Sequence, residues 1–130
     1  MTTPFVCVLL AFLLIWAVRI PVFVALSKHG GFDNNRPHRQ LAKLMQTDGY
    51  GARAAAAHRG LADAFAPFAA AVVIAHLGGA DPHKSAVLAI AFVVSEVVYV
   101  VAYLADIDYL RAFVWLVGLL ATVGLFALAA

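Results

Sequence analysis

Long apolar stretches alternate with polar ones along this chain on a scale set by membrane thickness. Residues 4–26, 52–77, 85–104 and 110–129 are each predominantly apolar. A spanning helix needs about 20 such residues, so the pattern predicts four transmembrane helices. A long polar stretch, 27–51, separates the first two; it carries Lys28, Arg36, Arg39 and Lys43, with turn formers His29-Gly30-Gly31 at its start and Asp48-Gly49-Tyr50-Gly51 at its end. Its middle, 39–45, is compatible with a short helix. The other connections are brief, Gly78-Gly79-Ala80-Asp81-Pro82 and Asp106-Ile107-Asp108. Short turns make antiparallel neighbours. The expected fold is an all-α membrane protein: a four-transmembrane-helix up-down bundle in a single domain, 1–130.

Composition agrees with the pattern. The chain is 65% hydrophobic and 12% charged, with a mean hydropathy of +0.94, whereas soluble domains are roughly half apolar and about a quarter charged. No basic region precedes the first apolar run and no small-residue cleavage site closes it, so the first helix is expected to be retained. Pro21 removes one backbone donor from that helix and predicts a kink. A lone Cys7 excludes an intrachain disulfide and a multi-cysteine metal site; its expected role is packing. The first and third connections hold Lys28, Arg36, Arg39, Lys43, Arg53 and Arg111, the second Lys84 alone. The positive-inside rule then places both termini outside the cytoplasm. The expectation is a multi-pass protein of the bacterial inner membrane, surrounded by the lipid bilayer and with no nucleic-acid partner.

Candidate chemistry comes from polar groups inside the spans. A charged residue in hydrocarbon costs about 2.5 to 3.5 kcal/mol on insertion scales and usually turns toward the bundle interior or a wet cavity. Arg53, His58, Arg59 and Asp63 lie in the first half of the second helix; Glu96 lies near the middle of the third, with Tyr99 and Tyr103 following at helical spacing. At 1.5 Å per residue, Arg59, Asp63 and Glu96 fall within roughly 10–15 Å of the same cytoplasmic surface. Arg59 and Asp63, four apart, share a helix face. Together these groups predict a polar pocket opening to the cytoplasm. A purely structural account stands beside it: an Arg59–Asp63 or Arg59–Glu96 ion pair would neutralise buried charge and fix helix register. His29, Asp33 and His38 match no metal-ligand spacing, and no metal is expected. Trp16 and Trp115 suit an interfacial belt or helix packing. No phosphate-binding loop, nucleophile elbow or zinc-protease motif is present.

The run Arg53-Ala-Ala-Ala-Ala-His58-Arg59-Gly60-Leu-Ala-Asp63-Ala-Phe65-Ala-Pro67-Phe68 resembles the signature helix of the MAPEG family, the membrane-associated proteins of eicosanoid and glutathione metabolism. Asn34-Asn35-Arg36-Pro37 is similar to the loop of bacterial members, and Tyr99-Val-Val-Ala-Tyr103-Leu followed by Asp108-Tyr-Leu-Arg111-Ala-Phe-Val-Trp115 resembles their third and fourth helices. The resemblance spans nearly the whole chain. It implies a homotrimer with glutathione sites between subunits, and a glutathione-dependent transferase or peroxidase acting on a lipophilic electrophile. Arg111 matches the arginine that helps to activate the glutathione thiol; Arg53, Tyr99 and Tyr103 match positions suited to the rest of the tripeptide. The chain departs from the family pattern where Gly60 replaces an Asn, Asp63 shortens a Glu and Glu96 replaces an Arg. These departures imply altered glutathione contacts, with Arg59 expected to offset Glu96. They support a second expectation, a noncatalytic member that binds a lipid, another small molecule or a partner protein.

Overall fold

The computed structural model describes residues 2–28 and 50–130. The expected helix at 39–45 lies outside them, as do His29, Asp33, Arg36, His38, Arg39 and Lys43. Four helices follow in order: α1 (Thr3–Lys28), α2 (Tyr50–Leu77), α3 (Pro82–Leu104) and α4 (Asp108–Ala129). Each is long and apolar enough to cross a membrane, the shortest reaching about 33 Å at 1.5 Å per residue. The chain is a multi-pass, all-helical membrane protein.

Every helix starts earlier than the sequence expectation: α1 at Thr3 against residue 4, α2 at Tyr50 against 52, so that Tyr50 and Gly51 are helical and not part of a turn, and α3 and α4 likewise. α3 begins at Pro82, where the expectation was residue 85, because Asp81 caps it: its Oδ1 accepts a hydrogen bond from the His83 N–H at 2.9 Å. Proline at the first helical position sacrifices a donor that has no helical partner anyway. α4 begins at Asp108, where the expectation was residue 110; the acidic group in its first turn suits the positive end of the helix dipole. Helix α1 stays helical through Pro21 to Lys28, and α2 through Pro67.

α3 packs most extensively on α4, and α1 on α2; α2 also touches both α3 and α4, and α1 touches α3. Small residues permit this closeness. Ala54, Ala57, Ala71, Ala75, Ala89, Ala102 and Ala121 are all buried, letting backbones approach where lipid supplies no hydrophobic drive between helices. At the centre Phe68 of α2 and Phe92 of α3 stack face to face, ring centroids 3.8 Å apart and planes 7° from parallel. Leu13, Trp16, Ile20, Val94, Val101, Leu116 and Leu120 face outward. In water such a surface would be a liability; it suits a chain whose spans contact a lipid bilayer.

Candidate functional site

The polar side chains of the spans fall into three groups, and the first joins α1 to α2. His58 Nδ1 lies 3.0 Å from the Ile15 carbonyl oxygen, and His58 Nε2 lies 3.3 Å from Arg19 Nη1. A carbonyl only accepts, so Nδ1 carries the ring proton and Nε2 accepts from the guanidinium. One imidazole thereby links part-buried polar groups across two helices. Sequence reasoning placed both residues inside spans but did not pair them. Their equal depth was the available signal: Arg19 is nine residues before the end of α1 and His58 eight after the start of α2, about 12–14 Å from the same end of the bundle.

A second group sits at that end. The Arg111 guanidinium lies 4.4 Å above the centre of the Tyr103 ring and donates from Nη2 to Asp108 Oδ1 at 2.9 Å. Tyr103 in turn meets Tyr99 edge to face, centroids 5.1 Å apart. Tyr99 is buried, and its hydroxyl fills the space that a side chain at position 60 would need. Gly60 is thus a close-approach glycine, and any larger side chain there would collide with this tyrosine. We expect Gly60→Ala to lower stability by about 1–3 kcal/mol through overpacking. Adding Tyr99→Phe should recover part of the loss and no more, because the ring carbons also stand 3.0 Å from the new Cβ. Thermal unfolding in detergent checks this; a Gly60→Ala protein as stable as wild type would disprove the fit. Arg53 is half-buried in the first turns of α2, at the same end of the bundle.

The third group lines a cavity of ≈150 Å³ between α2, α3 and α4. Asp63, Ala64 and Pro67 contribute from α2, Phe92 and Glu96 from α3, and Trp115, Gly118, Leu119 and Thr122 from α4. Glu96 is only 6% exposed. Helix α4 can come this close because of Gly118: a Cβ there would stand 3.0 Å from Ser95 Oγ and 3.5 Å from Glu96 Oε1.

Asp63 and Glu96 therefore share one cavity, but Arg59 does not line it. Neither the Arg59–Asp63 nor the Arg59–Glu96 ion pair forms. Arg59 sits on the exposed side of α2, whereas Glu96 turns toward Gly118 of α4. The cavity reaches from Glu96, eight residues before the end of α3, to Asp63, thirteen after the start of α2, about 12–20 Å from the Arg111 end of the bundle. The exposed wall residues Asp63, Pro67, Trp115 and Leu119 put the mouth on the flank of the bundle. Trp115, Phe92 and Thr122 were not singled out as site residues from the sequence; apolar or small, they are indistinguishable there from packing residues.

The sequence profile of the MAPEG family matches residues 3–130. The chain belongs to the MAPEG family. No curated protein and no solved structure matches it. Among MAPEG proteins generally, association with glutathione is the common theme. Within the matched region Gly60 of α2 and Tyr99 of α3 form a close-fitting pair, and the Glu96 carboxyl group faces inward.

Proposed function

We propose that this MAPEG protein is a glutathione-dependent transferase or peroxidase acting on lipophilic electrophiles, with its thiol-activating group at Arg111. The observation that carries this reading is the arrangement of Arg111, held over Tyr103 and oriented by Asp108. Arginine has five donors in a fixed fork, and the bond to Asp108 uses one of them. A positioned cation favours a thiolate over a thiol, so Arg111 would stabilise the sulfur anion while the half-buried Tyr103 beneath it supplies a hydroxyl. Arg53, at the same end, suits bidentate contact with a carboxylate. Glutathione supplies a thiol nucleophile and two carboxylates, and this cationic, hydroxyl-bearing end fits both.

The anionic groups do not spoil that fit. Glu96 is seven residues from Tyr103 along α3, about 10 Å deeper, so its repulsion of an anionic tripeptide is weakened by distance. Arg59 and Asp63 on the outer side of α2 are poor company for lipid; a neighbouring copy covering that side would remove the cost, in keeping with a homotrimer whose sites lie between subunits. The distribution of Lys and Arg supports an orientation with the Arg111 end in the cytoplasm of a bacterial inner membrane.

The test is purified protein in nonionic detergent, mixed with glutathione and a chromogenic aryl halide, with glutathione binding followed by calorimetry. Turnover that requires glutathione is the expected result. Absence of glutathione binding up to millimolar concentration would overturn it and leave the second expectation, a noncatalytic binder.

A further inference from the structure

The outer side of α2 presents one continuous face. Arg59, Ala62, Asp63, Ala66, Pro67 and Ala70 are all exposed, and their spacing of three and four places them on a single stripe. The three alanines recur every fourth residue, so a neighbouring helix can approach closely. Along the edge of this face runs the rim of the cavity between α2, α3 and α4, to which Asp63 and Pro67 belong. Inside the cavity Glu96 is only 6% exposed, and among the described residues none donates a hydrogen bond to its carboxyl group. The nearby hydroxyls are committed, Ser95 Oγ to the Phe92 carbonyl and Thr122 Oγ1 to the Gly118 carbonyl. No lysine, arginine or histidine lines the cavity. A buried carboxyl group calls for a charged donor, and Arg59, on the outer face, has no partner of its own among the described residues. One molecule thus carries on its surface a cation that it does not bring to its own buried acid.

We propose that a second copy of this chain lays its α2 face against the mouth of the cavity and inserts Arg59 between Asp63 and Glu96, each copy supplying the next around a closed ring. The inference rests on the homotrimer part of the functional reading and not on its glutathione chemistry. Copies inserted in one direction are related by an axis along the bilayer normal, so every residue keeps its depth from copy to copy. Gly60 touches Tyr99; Asp63 and Glu96 each lie three residues beyond that contact and so share one level, α2 starting further out than α3 ends. Arg59 sits four residues nearer the Arg111 end than Asp63, about 6 Å, a rise that an extended arginine side chain spans. Its planar fork has donors for two carboxyl groups at once. The contact runs head to tail, arginine of one copy to acids of the next, and such contacts give a ring when the rotation closes. Lipid in the neighbour's place would leave Arg59, Asp63 and Glu96 without a counter-charge in or beside hydrocarbon.

The experiment uses the full chain in nonionic detergent without glutathione, with subunit association followed by sedimentation as detergent is added. Arg59→Leu should weaken association by at least about tenfold, since truncating one side of a buried charge pair is costly. Were Arg59 facing lipid, the same change would leave association intact or improve it. Glu96→Gln should weaken association too, and adding it to Arg59→Leu should cost nothing further, as for two partners in one contact. Asp63→Asn, at an exposed position, takes its place in the cycle should Glu96→Gln fail to fold. The location of the contact is tested with differently tagged, co-expressed Cys7→Ala chains, one carrying Arg59→Cys and the other Leu119→Cys at the cavity mouth. Each then holds a single thiol, so a short bis-maleimide should join the two tags only through a contact between copies. Wild-type protein that stays monomeric, association unchanged in Arg59→Leu, full additivity, or no cross-link between the tags would each overturn the proposal. Glutathione turnover by an oligomer indifferent to Arg59→Leu would do so while leaving the functional reading in place.

Discussion

Arg111→Ala should lower glutathione turnover by at least about 100-fold while leaving the protein folded. The size follows from the position of the group. Removing one preorganised electrostatic stabiliser at a developing charge typically costs about 10²–10³ in rate. The fold, by contrast, hardly depends on it. In the Arg111–Asp108 pair the arginine is 30% and the aspartate 75% accessible, and pairs so open to solvent contribute at most about 1 kcal/mol. Arg111→Lys should fall between the two, because an ammonium keeps the charge but loses the flat stacking on Tyr103 and the fork to Asp108. The dependence on pH offers a second readout. An unassisted thiol has a pKa of about 8.5, so turnover by Arg111→Ala should climb steeply up to that pH, whereas wild type should reach its plateau lower. Rates with the aryl halide across pH, alongside thermal unfolding in detergent, check both points. Equal rates in variant and wild type would remove Arg111 from the chemistry.

Phe68→Ala should be the most damaging single change to the fold. Phe68 is fully buried and stacked on Phe92 at the meeting of α2 and α3. In soluble cores a Phe→Ala change costs about 3–5 kcal/mol through lost transfer energy and the cavity left behind. Within a bilayer the transfer part shrinks, since lipid tails are as apolar as the core. Lost packing and the stacking contact remain, so a loss of roughly 3 kcal/mol is expected, at the low end of that range. Phe68→Leu should cost less, because it refills most of the space. Denaturation in mixed detergent micelles measures the difference; a Phe68→Ala protein within about 0.5 kcal/mol of wild type, the span of neutral surface changes, would show that the stack is not a keystone.

The four helices were legible because a bilayer imposes one simple demand, a run of apolar residues about as long as the hydrocarbon is thick. Their starts at Pro82 and Asp108 were less so, since polar first turns blur into the preceding loop. Site geometry was only partly readable. Depth follows from counting residues, which is why Asp63 and Glu96 could be expected on one cavity. Rotation about the helix axis does not follow from counting. A polar residue in a span can face a neighbouring helix, as Glu96 does, or turn outward, as Arg59 does, and nothing local in the sequence separates them. The same holds for Trp115, whose wall position depends on how α4 rolls against α3. Gly60 read as a missing contact from its family motif; only the partner helix reveals that Tyr99 takes up the vacated room.

The bundle is two helix pairs, α1 with α2 and α3 with α4, meeting along a seam. The cavity lies on that seam, between Asp63 on one pair and Glu96 and Trp115 on the other. The Arg111–Tyr103 contact is carried wholly by the second pair, but Tyr99 beside it is keyed into Gly60 of the first, so the two pairs are locked in register at the very end of the seam that carries the arginine.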